Sequence, residues 1–373
     1  MKKIILASNT SWSILNFRLN LMKALQNQGW EVIAVAPYDE YAEKIKVAGF
    51  KFYPIELSGK GTNPVKDFRT MINFYKIYKA LKPDVICHFT IKPNIYGTIA
   101  ASLLKIKTIN NITGLGTLFV KKSVITSIAK LLYKISLNKA SKVFFQNSED
   151  YDLFISMGLA AEDKSDILPG SGVDLTLFKP NTNTLKRGEF TFAFISRLLW
   201  EKGLKEYVEA AAVLKEKYKN IEFILLGTTE EGSAEYAQIS DIRAWEQSGY
   251  IKYYGVSDRV QDFIASSDCV VLPSYYREGV PRILLEAASM AKPIITTDSV
   301  GCRNAVDNGS SGFLCNPKNS VDLVYYMEKL FLMPIEQRME MGLKGREKMI
   351  SQFSEDIIIN KYTEAVNSLT DKV

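Results

Sequence analysis

Short apolar runs alternate with longer amphipathic stretches through the first half of the chain. The runs Lys3–Ser8, Glu31–Pro37, Lys51–Ile55, Asp84–Cys87 and Thr108–Ile112 predict strands. Between them Phe17–Gln28, Glu40–Ala48, Val65–Leu81 and Ile95–Leu104 carry apolar residues at three- and four-residue spacing and predict helices. This βαβ rhythm predicts a parallel sheet with helices on both faces. A second rhythm opens with a strand at Phe190–Ile195, a helix after Gly203 and a strand at Ile221–Leu226. Phe178-Lys179-Pro180 and the polar stretch Asn181–Arg187 read as a linker. The expected fold class is therefore α/β, with two Rossmann-like doubly wound domains at 1–178 and 182–353 facing a central cleft. A last amphipathic helix, Ser354–Leu369, has no strand after it to serve, and residues 354–373 are expected to pack back onto the first domain.

The length of 373 residues agrees with two domains, and 47% hydrophobic with 24% charged residues excludes a disordered, collagen-like or coiled-coil chain. Four dispersed cysteines form no C-x-x-C pair, so neither a disulfide framework nor a zinc ribbon is readable. His88 is the sole histidine, which excludes a multi-histidine metal site and forces any Ser-His-Asp triad through one residue. No apolar run has the ~18 residues of a membrane span, and a cytoplasmic location is expected.

The net charge of +6 is unevenly spread. Residues 1–180 hold 24 Lys/Arg against 14 Asp/Glu, and residues 181–373 hold 23 against 27. From Val85 to Ser148 there are nine lysines and no acid, so an anionic partner is expected at that face.

Two constellations carry chemistry. In Ser274–Glu286, Pro281 suits the first turn of a helix, so Glu278 stands in the loop before it and Glu286 one to two turns inside. Gly279 and Val280 then present amides at the positive helix end. An anion suits that end, and the carboxylates suit sugar or ribose hydroxyls. In Phe194–Gly203, Arg197 and Lys202 flank one tight turn after a strand, where a guanidinium fork and an ammonium together suit a diphosphate. Both patterns also occur as plain solvated loops and helix starts.

Taken with Thr296–Cys302 and Gly309–Leu314, these segments resemble, in order and spacing, the retaining GT-B glycosyltransferases of family 4. Asn16-Phe17-Arg18, Thr90–Gly97 and Asn111–Gly116 resemble a narrower branch that builds capsule, O-antigen and protein-linked glycans on polyprenyl-diphosphate carriers, N-acetylgalactosaminyltransferases among them. The resemblance implies transfer of a hexose or N-acetylhexosamine from a nucleotide sugar, with uridine as the base, to a lipid-diphosphate-linked saccharide. It implies that Arg197 and Lys202 bind the donor diphosphate, Glu286 the ribose, and Glu278 with the Gly279–Val280–Pro281 backbone the sugar. The base would lie near Gly227 and Gly255–Arg259, with Val256 and Arg259 as contacts. Ser13 and Ile14 occupy the place where many relatives carry paired glycines for the donor phosphate. Arg18, His88, Lys92, Asn94 and Thr113 fall on the acceptor side. Neither a metal nor a cofactor is expected.

Asp150-Tyr151-Asp152 matches a metal-binding D-x-D of another glycosyltransferase fold, but it follows Ser148 at an expected helix start, where acids are favoured anyway. Rival readings are a nucleotide-sugar 2-epimerase of the same architecture and a nucleic-acid-binding protein. The acid-free basic stretch disfavours the first, and the scarcity of clustered Arg and interleaved aromatics the second, so no nucleic-acid partner is expected. In the segment 119–142, Val124, Ile125, Ile128, Leu131, Leu132 and Ile135 form an apolar stripe, with Lys121, Lys122, Lys130, Lys134 and Lys139 around it. Either the stripe faces the sheet and the lysines face water, or the helix lies on the anionic cytoplasmic face of the inner membrane as a peripheral contact.

Overall fold

A computed structural model describes residues 1–57, 63–115, 124–181 and 188–370. The chain forms two compact units, 1–171 with 356–373, and 172–355. The first contains β1 (Lys3–Ala7), α1 (Ser11–Asn27), β2 (Glu31–Ala36), α2 (Glu40–Val47), β3 (Lys51–Pro54), α3 (Pro64–Leu81) and β4 (Val85–Phe89). It continues with α4 (Thr98–Leu103), β5 (Lys107–Ile112), α5 (Val124–Leu137), β6 (Lys142–Phe145), α6 (Ser148–Ser156) and β7 (Ser165–Ile167). Its seven strands are all parallel, in the order β3-β2-β1-β4-β5-β6-β7. The central strands are apolar on both faces, as a sheet covered on both sides requires: Ile4, Ile5, Leu6 and Ala7 have no exposed surface.

Helix α1 starts six residues before the predicted Phe17. Thr10 caps it, its hydroxyl accepting from the Ser13 amide at 3.2 Å, and Ile14 already points into the core. Ser13 and Ile14 therefore lie in the first turn of a helix rather than in a loop after β1.

The second unit contains β8 (Phe190–Ile195), α7 (Leu204–Lys217), β9 (Ile221–Leu226), α8 (Ile239–Gln247), β10 (Lys252–Tyr253), α9 (Val260–Ser266), β11 (Cys269–Leu272), α10 (Arg282–Ser289), β12 (Ile294–Thr297), β13 (Gly312–Cys315), α11 (Ser320–Leu332) and α12 (Ile335–Lys348). Six parallel strands run in the order β10-β9-β8-β11-β12-β13. Phe178 is not linker: it is buried in this unit's core, and its carbonyl accepts from the Ser289 hydroxyl at 2.6 Å. Of the expected linker, residues 182–187 lie outside the described residues.

The chain then returns to the first unit through α13 (Glu355–Thr370). Ile358, Tyr362 and Val366, four residues apart, form its buried stripe. Tyr362 packs on Phe89 and Phe144 and accepts a hydrogen bond from Asn111 Nδ2 at 2.7 Å. Among the described residues, no helix is long and apolar enough to cross a membrane.

Candidate active site

In a parallel sheet the strand ends converge on one edge, and side chains in the following loops share a surface there. In the second unit, the loop after β8 is pinned by buried Leu198 and Leu199, leaving Arg197 exposed just before them and Lys202 in a short 3₁₀ turn. Gly203 ends that turn at φ +77°, and a Cβ there would lie 2.1 Å from the Pro273 carbonyl oxygen. Only glycine lets the β8 loop close on the β11 loop.

Three loops meet at Ser274. Its carbonyl accepts from the hydroxyls of Thr297 and, at 2.9 Å, of Ser299, both in or after β12. The amides of Tyr275 and Tyr276 donate to the Glu201 carbonyl, each at 3.0 Å. Glu278 is thereby brought to Lys202: the two form an ion pair, with the Ser274 hydroxyl also donating to the carboxylate at 3.4 Å. The pair is largely buried, at 8% and 14% side-chain exposure. Lys202 Nζ stands 5.4 Å from the centre of the Tyr276 ring. Burial raises the Tyr276 hydroxyl above the ordinary tyrosine range, and the nearby Arg197 charge pulls the other way.

Pro281 takes the cap position immediately before α10, and Val280 is buried. Gly279 is approached from behind by Gly301, which has φ +83° and would place a Cβ 2.1 Å from the Gly279 carbonyl oxygen. One turn into α10, Arg282 Nε donates to Glu286 at 2.8 Å. Burial raises the Glu286 carboxyl above the usual carboxylate range, opposed by the Arg282 charge. The β9 and β10 ends bring Gly227 to Gly255, with amide to carbonyl at 2.7 Å. Val256 and Arg259 are exposed beyond them, Arg259 paired with Asp262 at 2.6 Å.

Arg197, Lys202, Glu278 and Gly279 thus come together through contacts, and Glu286 lies on the helix that follows. Sequence reasoning gave no role to Tyr276, Ser274, Ser299 or Arg282. Arg282 was findable from its four-residue spacing to Glu286. An exposed guanidinium, an ammonium beside a carboxylate, and a helix N-terminus in one loop set suit a diphosphate joined to a hydroxyl-rich group.

The first unit corrects the sequence expectation. His88 and Asn94 have at most 1% exposure and Arg18 has 4%, so they offer a ligand no surface. His88 Nε2 shares a hydrogen bond with the Tyr78 hydroxyl at 2.9 Å, and its Nδ1 one with Thr98 at 3.1 Å. Asn94 Nδ2 donates to the Asn111 carbonyl at 2.7 Å. Arg18 lies 4.4 Å over the Phe89 ring. Burial pushes the His88 imidazole down to about 3. Lys92 is partly exposed but paired with Asp67 at 2.8 Å, and Thr113 lies half-buried in the loop after β5. Ser13 shares a hydrogen with Ser8 at 2.5 Å. Asp150 is buried at the start of α6, its amide donating to the Asn147 side chain at 2.7 Å and its carboxylate accepting from it at 3.2 Å, as the capping reading expects. Among the described residues, no group of three His, Cys, Asp or Glu could hold a metal ion.

Two family models match in tandem. A glycosyl transferase 4-like model covers residues 3–147, and the glycosyl transferases group 1 model covers residues 178–348. The chain is 29% identical, over 98% of both sequences, to the N,N'-diacetylbacillosaminyl-diphospho-undecaprenol alpha-1,3-N-acetylgalactosaminyltransferase of Campylobacter jejuni. It is 27% identical, over 67% of each, to the Escherichia coli UDP-Gal:alpha-D-GlcNAc-diphosphoundecaprenol alpha-1,3-galactosyltransferase. Similar solved structures include a Rickettsia africae glycosyltransferase at TM-score 0.82, 17% identity and coverage of 100% of this chain and 99% of that one. Anabaena HepE in complex with UDP and glucose gives TM-score 0.81 and 16% identity, over 99% of this chain and 100% of that one.

Proposed function

Because the chain belongs to the group 1 glycosyl transferases, with a glycosyl transferase 4-like first half, we propose that this glycosyltransferase moves a hexose or N-acetylhexosamine from a UDP-sugar to a polyprenyl-diphosphate-linked saccharide, with retention at the transferred carbon. The named acceptors of the Campylobacter and Escherichia relatives support the acceptor class. The single observation that carries the donor site is the joining of Arg197, Lys202, Tyr276 and Glu278 at the ends of β8 and β11.

In this reading Arg197 and Lys202 hold the diphosphate and stabilise the charge that develops on it as the glycosidic bond breaks. The departing diphosphate takes the acceptor proton, so the protein needs no side-chain base. Glu278, which pairs with Lys202, serves the sugar hydroxyls beside the diphosphate. Glu286, steadied by Arg282, accepts from the ribose hydroxyls. The base lies by Gly227, Gly255, Val256 and Arg259, and the amides at Gly279, Val280 and the start of α10 face the donor. Lys92 and Thr113 serve the acceptor, at the cytoplasmic face of the membrane that carries it.

A panel of UDP- and GDP-sugars, each assayed for slow donor hydrolysis with and without EDTA, tests this. Release of UDP from one sugar, undiminished by EDTA, is expected. Conversion of a UDP-sugar to its 2-epimer, or activity that EDTA abolishes and a divalent ion restores, contradicts the reading.

A further inference from the structure

The structure decides how α5 is turned. At about 100° per residue, Val124, Ile128, Leu131 and Ile135 fall within roughly 60° of one another, and Ile125 lies beside them. All five are exposed, from 41% to 76%. The opposite side, made of Thr126, Ala129, Tyr133, Ser136 and Leu137, is the buried one. Tyr133 anchors it edge-on to Phe154 at 5.3 Å, in a cluster with Ile95, Leu137 and Phe145. Five of the six stripe residues therefore do not face the sheet, and Leu132 alone is partly buried against that cluster. The helix shows its most apolar face to the outside and a more polar one to the core, the reverse of an ordinary surface helix.

The charge around this face is one-sided. Lys134 and Lys139 are exposed on and just after the helix, and Lys130 is partly exposed. From Val85 to Ser148 the sequence offers no acid. Lys121 and Lys122 lie outside the described residues. The contrast with α12 is informative. There Ile335, Met339 and Leu343 are also exposed, yet Glu336, Glu340 and Glu347 stand among the basic residues. A mixed-charge apolar stripe has no preference for an anionic surface, whereas an acid-free lysine-flanked one does.

We infer that the outward face of α5 is a membrane-docking surface, whose apolar residues enter the headgroup boundary of an anionic bilayer while its lysines meet the lipid phosphates. The inference rests on the lipid-linked acceptor proposed above and assigns where the enzyme meets the bilayer that holds it. Each apolar side chain moved out of water contributes about tenfold or more in partitioning, so binding depends on the stripe as well as on the lysines, and salt weakens it without erasing it.

The test is sedimentation with phosphatidylcholine vesicles, with and without phosphatidylglycerol, alongside transfer assays on a long-chain lipid acceptor and a short water-soluble one. Wild-type protein is expected to bind the anionic vesicles. Ile128→Ser with Leu131→Ser should lower that binding by roughly a hundredfold, and Lys134→Glu with Lys139→Glu should remove the preference for phosphatidylglycerol. Met339→Ser with Leu343→Ser on α12 should change neither. Both α5 variants should keep wild-type turnover of the soluble acceptor and lose turnover of the long-chain one. Undiminished sedimentation of the Ile128/Leu131 variant overturns the assignment. So does a wild-type dimer, seen by analytical ultracentrifugation, that this variant dissociates, since a second copy would then cover the face. Absence of transfer to the soluble acceptor by wild-type protein would instead count against the proposed function.

Discussion

Lys202 is held between the Glu278 carboxylate and the Tyr276 ring with little access to water. Removing one partner of such a pair leaves a buried charge behind, at a cost of about 3 kcal/mol. Lys202→Ala is therefore expected to lower the melting temperature as well as turnover, and adding Glu278→Gln should restore much of the stability but none of the activity. Arg197 is exposed, so Arg197→Ala should leave the melting temperature unchanged and reduce turnover about ten- to a hundredfold. Calorimetry beside steady-state kinetics separates the two. The residue types of this loop set were legible in the sequence. The pairing was not, because 76 residues separate its members and only the sheet order brings them together. For His88, at the end of a buried strand, the sequence left a satisfied strand-end histidine and an acceptor-side residue both open, and its hydrogen bonds to Tyr78 and Thr98 are those of the first. Its imidazole is held neutral by burial, at about 3 in the folded chain against the ordinary histidine value of 6.5. The unfolded chain thus takes up the proton first as pH falls. The stability that neutral His88 contributes is complete above about pH 6.5 and declines below it, by roughly 2 kcal/mol near pH 5. As the sole histidine, it gives one assignable imidazole NMR resonance, whose shift should stay constant from about pH 7 to about pH 5 in folded protein.

Helix periods and strand runs were strong enough in the sequence to place the first five of the seven strands of the first sheet, because buried parallel strands read as continuous apolar runs, while the short β6 and β7 went unread. Element ends were harder. The start of α1 depends on the Thr10 cap, a single side-chain contact that no apolar period announces. Helix α13 was visible as a strandless amphipathic stretch, and its seat follows from Tyr362, which fills the space between Phe89 and Phe144. Tyr362→Phe loses only the Asn111 hydrogen bond and should cost about 1 kcal/mol. Tyr362→Ala opens a cavity and should cost about 3 to 5 kcal/mol, measured by denaturant unfolding. The orientation of α5 was not legible at all. An amphipathic pattern states that two faces differ, and which of them turns inward is decided by Tyr133 and Leu137 finding the cluster around Phe154.

Each unit has its own core: the hydrophobic clusters of the first take in α13, and that of the second runs from Val173 to Phe353. The whole loop set proposed for the donor, from Arg197 to Gly301, sits on the second sheet alone. The division of labour follows: Glu286→Gln should weaken binding of free UDP, whereas Glu278→Gln should leave it nearly unchanged and lower transfer, as isothermal titration with UDP checks. Equal loss of UDP affinity in both would remove that division. The measurement that tests the central claim most directly is the anomeric configuration of the sugar after transfer. Purified enzyme, a UDP-N-acetylhexosamine of known configuration and a polyprenyl-diphosphate-linked saccharide should yield a lengthened lipid-linked glycan whose new linkage, read by proton NMR coupling, keeps the donor's configuration. An inverted linkage would contradict the account, and so would the absence of any lengthened glycan across the panel of UDP-sugars.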